Sequence, residues 1–179
     1  MLFVLALCNV PSIALASPPP SELDALGEFA KAAGFTESGS NAWIDKSGWD
    51  FTAGSNPCYF FGVTCDRLET HVRTIELQGN NMHGEVDPSA LSRLPELRSL
   101  DLQWNNLSGR VPDFNAPFLN YLVLSGSEFS ELAELKSMPN LRVLELNMNR
   151  LVKCSRTCWR SHPREPVTCW ECAVDFSES

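Results

Sequence analysis

The chain has 179 residues, 44% of them hydrophobic, with seven cysteines and a formal net charge of −8 at pH 7, and its isoelectric point lies near 4.8. That length suits one compact unit. The acidity argues against a general nucleic-acid binder, because phosphate attraction supplies most non-specific affinity, and no basic stretch interleaves with aromatics as a single-strand binder would need.

Residues 1–16 read as a signal peptide. A mostly apolar run extends from Leu2 to Val10, and Ala14-Leu15-Ala16 offers a small-residue cleavage site before Ser17, although no Lys or Arg precedes the run. Cleavage there removes Cys8 and leaves six cysteines, an even number that can pair in an oxidising compartment. No later run reaches about 18 apolar residues, so no membrane span is expected, and the last residues lack the hydrophobic tail of a glycolipid anchor. A soluble, secreted chain is the expectation.

Beyond Ser17, Pro18-Pro19-Pro20 forms a stiff leader. Ser21 is expected to cap a helix, with Asp24 three positions on and Gly34 as its stop. Leu23, Leu26, Phe29, Ala30 and Ala33 would form the buried stripe. Trp43 and Trp49 follow in a loop-rich stretch.

From Val72 to Leu151 one apolar frame, L-x-x-L-x-L-x-x-N-x-L, occurs four times. The frames are Val72-Ile75-Leu77-Asn80-Met82, Leu97-Leu100-Leu102-Asn105-Leu107, Leu119-Leu122-Leu124-Ser127-Phe129 and Leu141-Leu144-Leu146-Asn149-Leu151. Their starts lie 25, 22 and 22 residues apart. An ordinary sheet would give period-two alternation without a fixed corner residue. Here a short strand turns at the Asn, whose amide can bond backbone of the neighbouring turn, and the next apolar residue returns to the same core. The frame predicts an α/β solenoid with a parallel sheet on its concave side.

These frames resemble the leucine-rich repeat family, whose repeats run roughly 20–29 residues. The continuations Met82-x-Gly84-x-Val86 and Leu107-x-Gly109-x-Val111-Pro112 are similar to the plant-type L-x-G-x-I-P, whereas repeats three and four carry Glu131 and Lys153 in place of the Gly. Pro57-Cys58-Tyr59-Phe60-Phe61-Gly62-Val63-Thr64-Cys65-Asp66 resembles the plant-type N-terminal cap motif P-C-x-W-x-G-V-x-C-D, with Phe60 in the Trp position. The resemblance implies an N-terminal cap over 17–71, four repeats over 72–153 and a cysteine-rich C-terminal cap over 154–179. Caps are needed because the end repeats of a solenoid expose apolar faces. A Cys58–Cys65 disulfide would pin the first cap; six intervening residues are too many for a reactive CxxC pair. Cys154, Cys158, Cys169 and Cys172 would close the other end as two disulfides, with three pairings open. A four-thiolate zinc site is the alternative for these four.

No catalytic constellation, nucleotide loop or cofactor motif is present in the sequence, so a non-enzymatic chain without cofactor is expected. His71, His83 and His162 read as solvated surface residues. Strand alternation places the residues between the leucines on the concave face, in ladders about 4.8 Å apart. One ladder is Glu76, Asp101, Val123, Glu145; the next is Gln78, Gln103, Ser125, Asn147. A third is Gly79, Trp104, Gly126, Met148, and Thr74, Ser99, Tyr121, Val143 line the opposite edge. Glu76 beside Asp101 is a like-charge pair that a cation or a basic partner side chain would relieve, and Trp104 is an anchor of the kind enriched at interface centres. The binding candidates are Glu76, Gln78, Asp101, Gln103, Trp104, Tyr121, Glu145 and Met148. Asn106-Leu107-Ser108 is the one N-x-S/T sequon, placing a glycan on Asn106 beyond the corner of repeat two and away from the concave face.

Toward the C-terminus Arg142, Arg150, Lys153, Arg156, Arg160 and Arg164 outnumber Glu145 and Glu165 before Cys169, and this basic end would suit an acidic glycan or a membrane surface. Together with what the resemblance implies, these features predict a secreted recognition module that binds an extracellular protein or peptide, receptor-ectodomain-like or inhibitor-like. The alternative is a structural cell-surface or carbohydrate-binding protein.

Overall fold

The structure, a computed structural model, describes residues 17–35 and 42–151 together with the strand residues 168 and 169. The expectations for the signal peptide, for Lys153, Arg156, Arg160, Arg164 and His162, and for the side chains of the last four cysteines lie outside the described residues.

Helix α1 (Pro20–Ala32) starts one residue before the expected cap. Pro19 is the N-cap and Pro20 the first helical residue, so no side chain caps the helix and Ser21 sits within the first turn. Proline suits that position because its fixed φ is helical and its missing N–H would have had no intrahelical partner. Gly34 ends the helix at φ +76°, where the Phe35 N–H donates to Ala30 O at 2.8 Å, a closure that needs the left-handed residue. Leu23, Leu26, Phe29, Ala30 and Ala33 are buried, as their spacing predicts.

The chain then packs an aromatic cluster beneath α1. Trp49 lies 5.1 Å from Trp43 and 5.1 Å from Phe60 between ring centroids, and both indole N–H groups are used, Trp43 toward Ala33 O at 3.0 Å and Trp49 toward Phe61 O at 2.9 Å. Phe60 is buried in the place of the usual tryptophan. A Cys58–Cys65 disulfide ties the 3-10 turn Pro57–Tyr59 to strand β1 (Val63–Cys65). β1 pairs antiparallel with β2 (Val72–Glu76) and so covers the first edge of an otherwise parallel sheet, a strand absent from the expected architecture.

β2 is followed through the repeats by β4 (Ser99–Asp101), β6 (Tyr121–Val123) and β8 (Val143–Glu145), and then by β9 (Thr168–Cys169), all parallel in that order. Four rungs bound three full turns. Ile75, Leu100, Leu122 and Leu144 are register partners in succession and are all buried. Each such side chain contributes roughly 2 kcal/mol by leaving water, and stacking makes the column continuous, which no single repeat could achieve.

A second, three-stranded parallel sheet runs along another flank: β3 (His83–Gly84), β5 (Asn106–Val111) and β7 (Glu128–Leu132). It reaches repeat three even though Glu131 replaces the glycine there. Phe129 pairs with Gly109 and Glu131 with Arg110, so Ser130 is an extra residue that absorbs the mismatch as a bulge. Between β3 and β4, the short helix α2 (Pro88–Leu91) is capped by Asp87, whose carboxylate accepts the Ser89 N–H at 2.8 Å.

The corner column builds the turns. Asn105 Oδ1 accepts the N–H groups of Asn80 and Met82, each at 2.9 Å. Its Nδ2 donates to Leu77 O at 2.9 Å and Leu102 O at 2.8 Å. Asn149 repeats the scheme toward Phe129 N–H, Leu124 O and Leu146 O. Asn80, one rung before, instead bonds both backbone groups of Asp45, fastening the cap to the array. Ser127 reaches only Asn105 O, at 3.2 Å.

Candidate ligand-recognition face

The outward ladders follow from the register. Glu76 pairs with Asp101, Asp101 with Val123 and Val123 with Glu145. Thr74, Ser99, Tyr121 and Val143 form the parallel row two residues earlier. The ladder continues past the strands: Gly79 N–H donates to Gln103 O, Trp104 N–H to Ser125 O and Gly126 N–H to Asn147 O, at 2.8–2.9 Å. That places Gln78, Gln103, Ser125 and Asn147 in one column, with Gly79, Trp104, Gly126 and Met148 beside them.

The last column has a backbone reason for its composition. All four residues are left-handed, with φ of 62°, 57°, 68° and 56°. Two are glycine, which adopts that region freely; Trp104 and Met148 hold it at a cost of about 1–2 kcal/mol. A Cβ on Gly126 would collide with the Trp104 indole, so Gly126 is also the seat on which that ring rests. Trp104 is nevertheless 54% exposed, Tyr121 49% and Met148 70%. Three large apolar side chains thus stand on one face where folding alone leaves them uncovered.

Among the polar candidates, Asp101 is held locally: its carboxylate accepts from Gln103 N–H and from Gln103 Nε2, both at 3.1 Å. No ion pair involves Glu76, Asp101 or Glu145 among the described residues. Ser125 departs from expectation. It was placed in a solvent-facing ladder, yet it is 5% exposed and its Oγ has no hydrogen-bond partner. Asn147 Oδ1, its neighbour one rung on, is buried and unpartnered as well. Asn106, the sequon residue, is exposed at the start of β5 on the other sheet. At the basic end, Arg150 pairs with Glu128 at 2.9 Å and Arg142 is exposed.

Two histidines are not the solvated groups expected. His71 Nδ1 lies 2.7 Å from Glu22 Oε1, and Glu22, 1% exposed, also accepts the Val72 N–H at 2.8 Å. This pair locks α1 to the start of β2. The His83 ring packs over Gly34, where any Cβ would strike it. Sequence could not reveal the first contact, because its partners are 49 residues apart. In the cap loops, Asp66 is held below the usual carboxylate range, first by the Thr70 N–H and then by the Thr70 hydroxyl. Among the described residues no group of His, Cys, Asp or Glu is arranged to hold a metal ion. No helix among them is long and apolar enough to cross a membrane.

Comparison with known proteins matches this geometry. The family model "Leucine rich repeat N-terminal domain" matches residues 19–66, and the model "Leucine Rich Repeat" matches residues 96–116. Pollen receptor-like kinase 3 of Arabidopsis thaliana is 33% identical over 112 residues, 61% of this chain and 16% of that protein. The crystal structure of a Pollen Receptor Kinase 3 superposes with a TM-score of 0.58 at 32% identity, covering 71% of this chain and 60% of the other. The Arabidopsis receptor kinase HAESA, solved in complex with the peptide hormone IDA and the co-receptor SERK1, aligns with a TM-score of 0.59 at 27% identity, covering 72% of this chain and 21% of that one. The chain spans between 7% and 16% of the length of the curated relatives it matches.

Proposed function

The chain is a leucine-rich repeat protein with a plant-type N-terminal cap, and from that premise we propose that it is a non-enzymatic recognition module, secreted and receptor-ectodomain-like, which binds an extracellular protein or peptide through the concave face. The observation that carries this reading is the exposure of Trp104, Tyr121 and Met148 on one registered sheet face, beside Glu76 and Glu145, which form no ion pair among the described residues. Aromatic anchors ringed by polar groups are the usual energetic centre of a protein interface. Glu76, Gln78, Asp101, Gln103, Trp104, Tyr121, Glu145 and Met148 would supply the contacts, each presented by a strand or its corner, and a glycan on Asn106 would occupy the second sheet instead. Likeness to a receptor kinase solved with a peptide hormone supports the class of ligand and not its identity.

Capture of labelled extracellular proteins by the full chain tests the reading. Glu76→Gln, Asp101→Asn and Trp104→Ala combined should abolish capture that the unaltered chain shows. Capture that survives this variant and fails after Arg156→Ala and Arg160→Ala would transfer recognition to the basic end and to the structural or glycan-binding alternative.

A further inference from the structure

Positive charge collects on a different line of the solenoid. The second residues of the four frames are Arg73, Arg98, Asn120 and Arg142, and the backbone stacks them in one column. Arg98 N–H donates to Arg73 O at 2.8 Å, Asn120 N–H to Arg98 O at 2.8 Å and Arg142 N–H to Asn120 O at 2.9 Å. This column follows the edge where the strands begin, one position before the row Thr74, Ser99, Tyr121, Val143. Arg73 is partly buried and paired with Glu96 at 3.1 Å. Arg98 and Arg142 are exposed, and neither forms an ion pair among the described residues. In a chain of formal net charge −8, two arginines on one line without a carboxylate partner are an unmet demand for negative charge.

The rung between them adds a second feature. Phe118 is 44% exposed and occupies a position that is His71, Glu96 or Asn140 on the other rungs. Its backbone is clamped from two sides. Asn120 Nδ2 donates to Phe118 O at 2.7 Å, and Asn140 Nδ2, one rung on, donates to Pro117 O at 2.5 Å. Tyr121, exposed as well, follows Asn120 on the same rung. An uncovered aromatic ring is thus held in place between two rungs that each present a bare guanidinium group.

We propose that this edge binds a linear acidic polysaccharide built from uronic acid units, with one sugar ring on Phe118 and its flanking carboxylates on Arg98 and Arg142. The arginines are two rungs apart, roughly 9.6 Å at sheet spacing, which is the length of a disaccharide unit. Alternate carboxylates of a uronate chain therefore reach the two guanidinium groups, and the planar fork of arginine takes a carboxylate bidentately. Sugar C–H groups carry a slight positive charge and pack onto the negative face of an aromatic ring. Asn120 spends an amide N–H on Phe118 O and keeps its Oδ1 to accept from a sugar hydroxyl. A neutral glycan leaves both arginines unmatched. A nucleic acid brings one phosphate per about 1.7 Å of duplex against a chain already rich in carboxylates. A membrane offers a plane, whereas the arginines form a line. The site uses neither Trp104 nor Met148 and does not rest on the concave-face reading, so a glycan held here leaves that face open.

The test immobilises oligomers of alginate and of polygalacturonate and measures retention of the full chain, with cello-oligomers, poly-glutamate and phosphatidylserine vesicles as comparisons. Uronate oligomers should retain the chain and cello-oligomers should not, and added salt should weaken retention. Arg98→Gln with Arg142→Gln should weaken it about tenfold, and Phe118→Ala should weaken it without any change of charge. These positions are exposed, so each variant should keep the Tm of the parent. Arg110→Gln with Lys136→Gln removes the same charge from exposed positions elsewhere and should leave retention unchanged. An equal loss in that control, or full retention after Phe118→Ala, reduces the effect to general attraction and overturns the proposal. Poly-glutamate or vesicles held as firmly as the uronates overturn the glycan assignment, and no uronate retention at all overturns the site. Trp104→Ala should leave uronate retention intact, and its loss would overturn the placement on this edge. Failure of the proposal leaves concave-face recognition standing, because that reading is tested with extracellular proteins as the probe.

Discussion

Replacing Asn105 with alanine should be among the most damaging single changes in the array. The side chain is 5% exposed and satisfies two N–H groups, of Asn80 and Met82, and two carbonyls, of Leu77 and Leu102. Alanine leaves all four without that partner inside the corner. A buried group stranded in this way costs about 1–3 kcal/mol. Carbonyls tolerate loss better than N–H groups, and partial entry of water offsets part of the sum, so about 3–5 kcal/mol is expected. Against a total stability of about 5–15 kcal/mol this is a large fraction. For a chain of this size it corresponds to a fall in Tm of roughly 6–20 °C. Asn149→Ala strands one N–H and two carbonyls at a half-buried site and should cost less, and Ser127→Ala, with its single bond, least of all. Urea unfolding of the three variants, followed by far-UV circular dichroism, measures the series. An Asn105→Ala loss below about 1 kcal/mol, or a reversed order among the three, would refute the view that these amides hold the turns.

Other perturbations have definite signs. Cys58→Ser with Cys65→Ser opens a loop of sequence separation 7, and the chain-entropy estimate for so short a loop gives a loss of about 2.5 kcal/mol, readable as a lower urea midpoint. Asp66 has a lowered pKa in the folded chain, so the stability it contributes is present above about pH 4 and is lost as pH falls through its lowered value. Urea midpoints across that acid range should therefore drop less steeply for Asp66→Asn than for the parent. Gly126→Ala forces a left-handed alanine into the Trp104 ring and should cost about 1–3 kcal/mol while raising Trp104 accessibility to iodide quenching.

Much of the repeat architecture is legible in the sequence because it is periodic. The leucine columns and the Asn corner recur at fixed offsets, and each recurrence restates one packing requirement. The outward ladders follow from the same register, so Glu76 beside Asp101 could be read before any coordinates. What escaped the sequence is what does not repeat. The Glu22–His71 pair joins residues far apart in the chain, and neither has a neighbour pattern that marks it. Strand β1 is short and antiparallel, and it exists because the edge of β2 needs a partner. Ser125 looked like an ordinary outward residue. It is nevertheless 5% exposed, a burial that alternation along a single strand does not encode. Pro20 displaced Ser21 at the helix start because fixed φ served where a hydroxyl cap was expected.

Hydroxyl-radical footprinting of the chain, free and bound to a captured extracellular partner, tests the central claim most directly, since Trp, Tyr and Met side chains are readily oxidised when exposed. The concave-face account requires protection of Trp104, Tyr121 and Met148 on binding, with Tyr59 in the N-terminal cap unchanged at its 67% exposure. Protection confined to Tyr59 and the neighbouring cap loops, with Trp104, Tyr121 and Met148 oxidised as in the free chain, would contradict it.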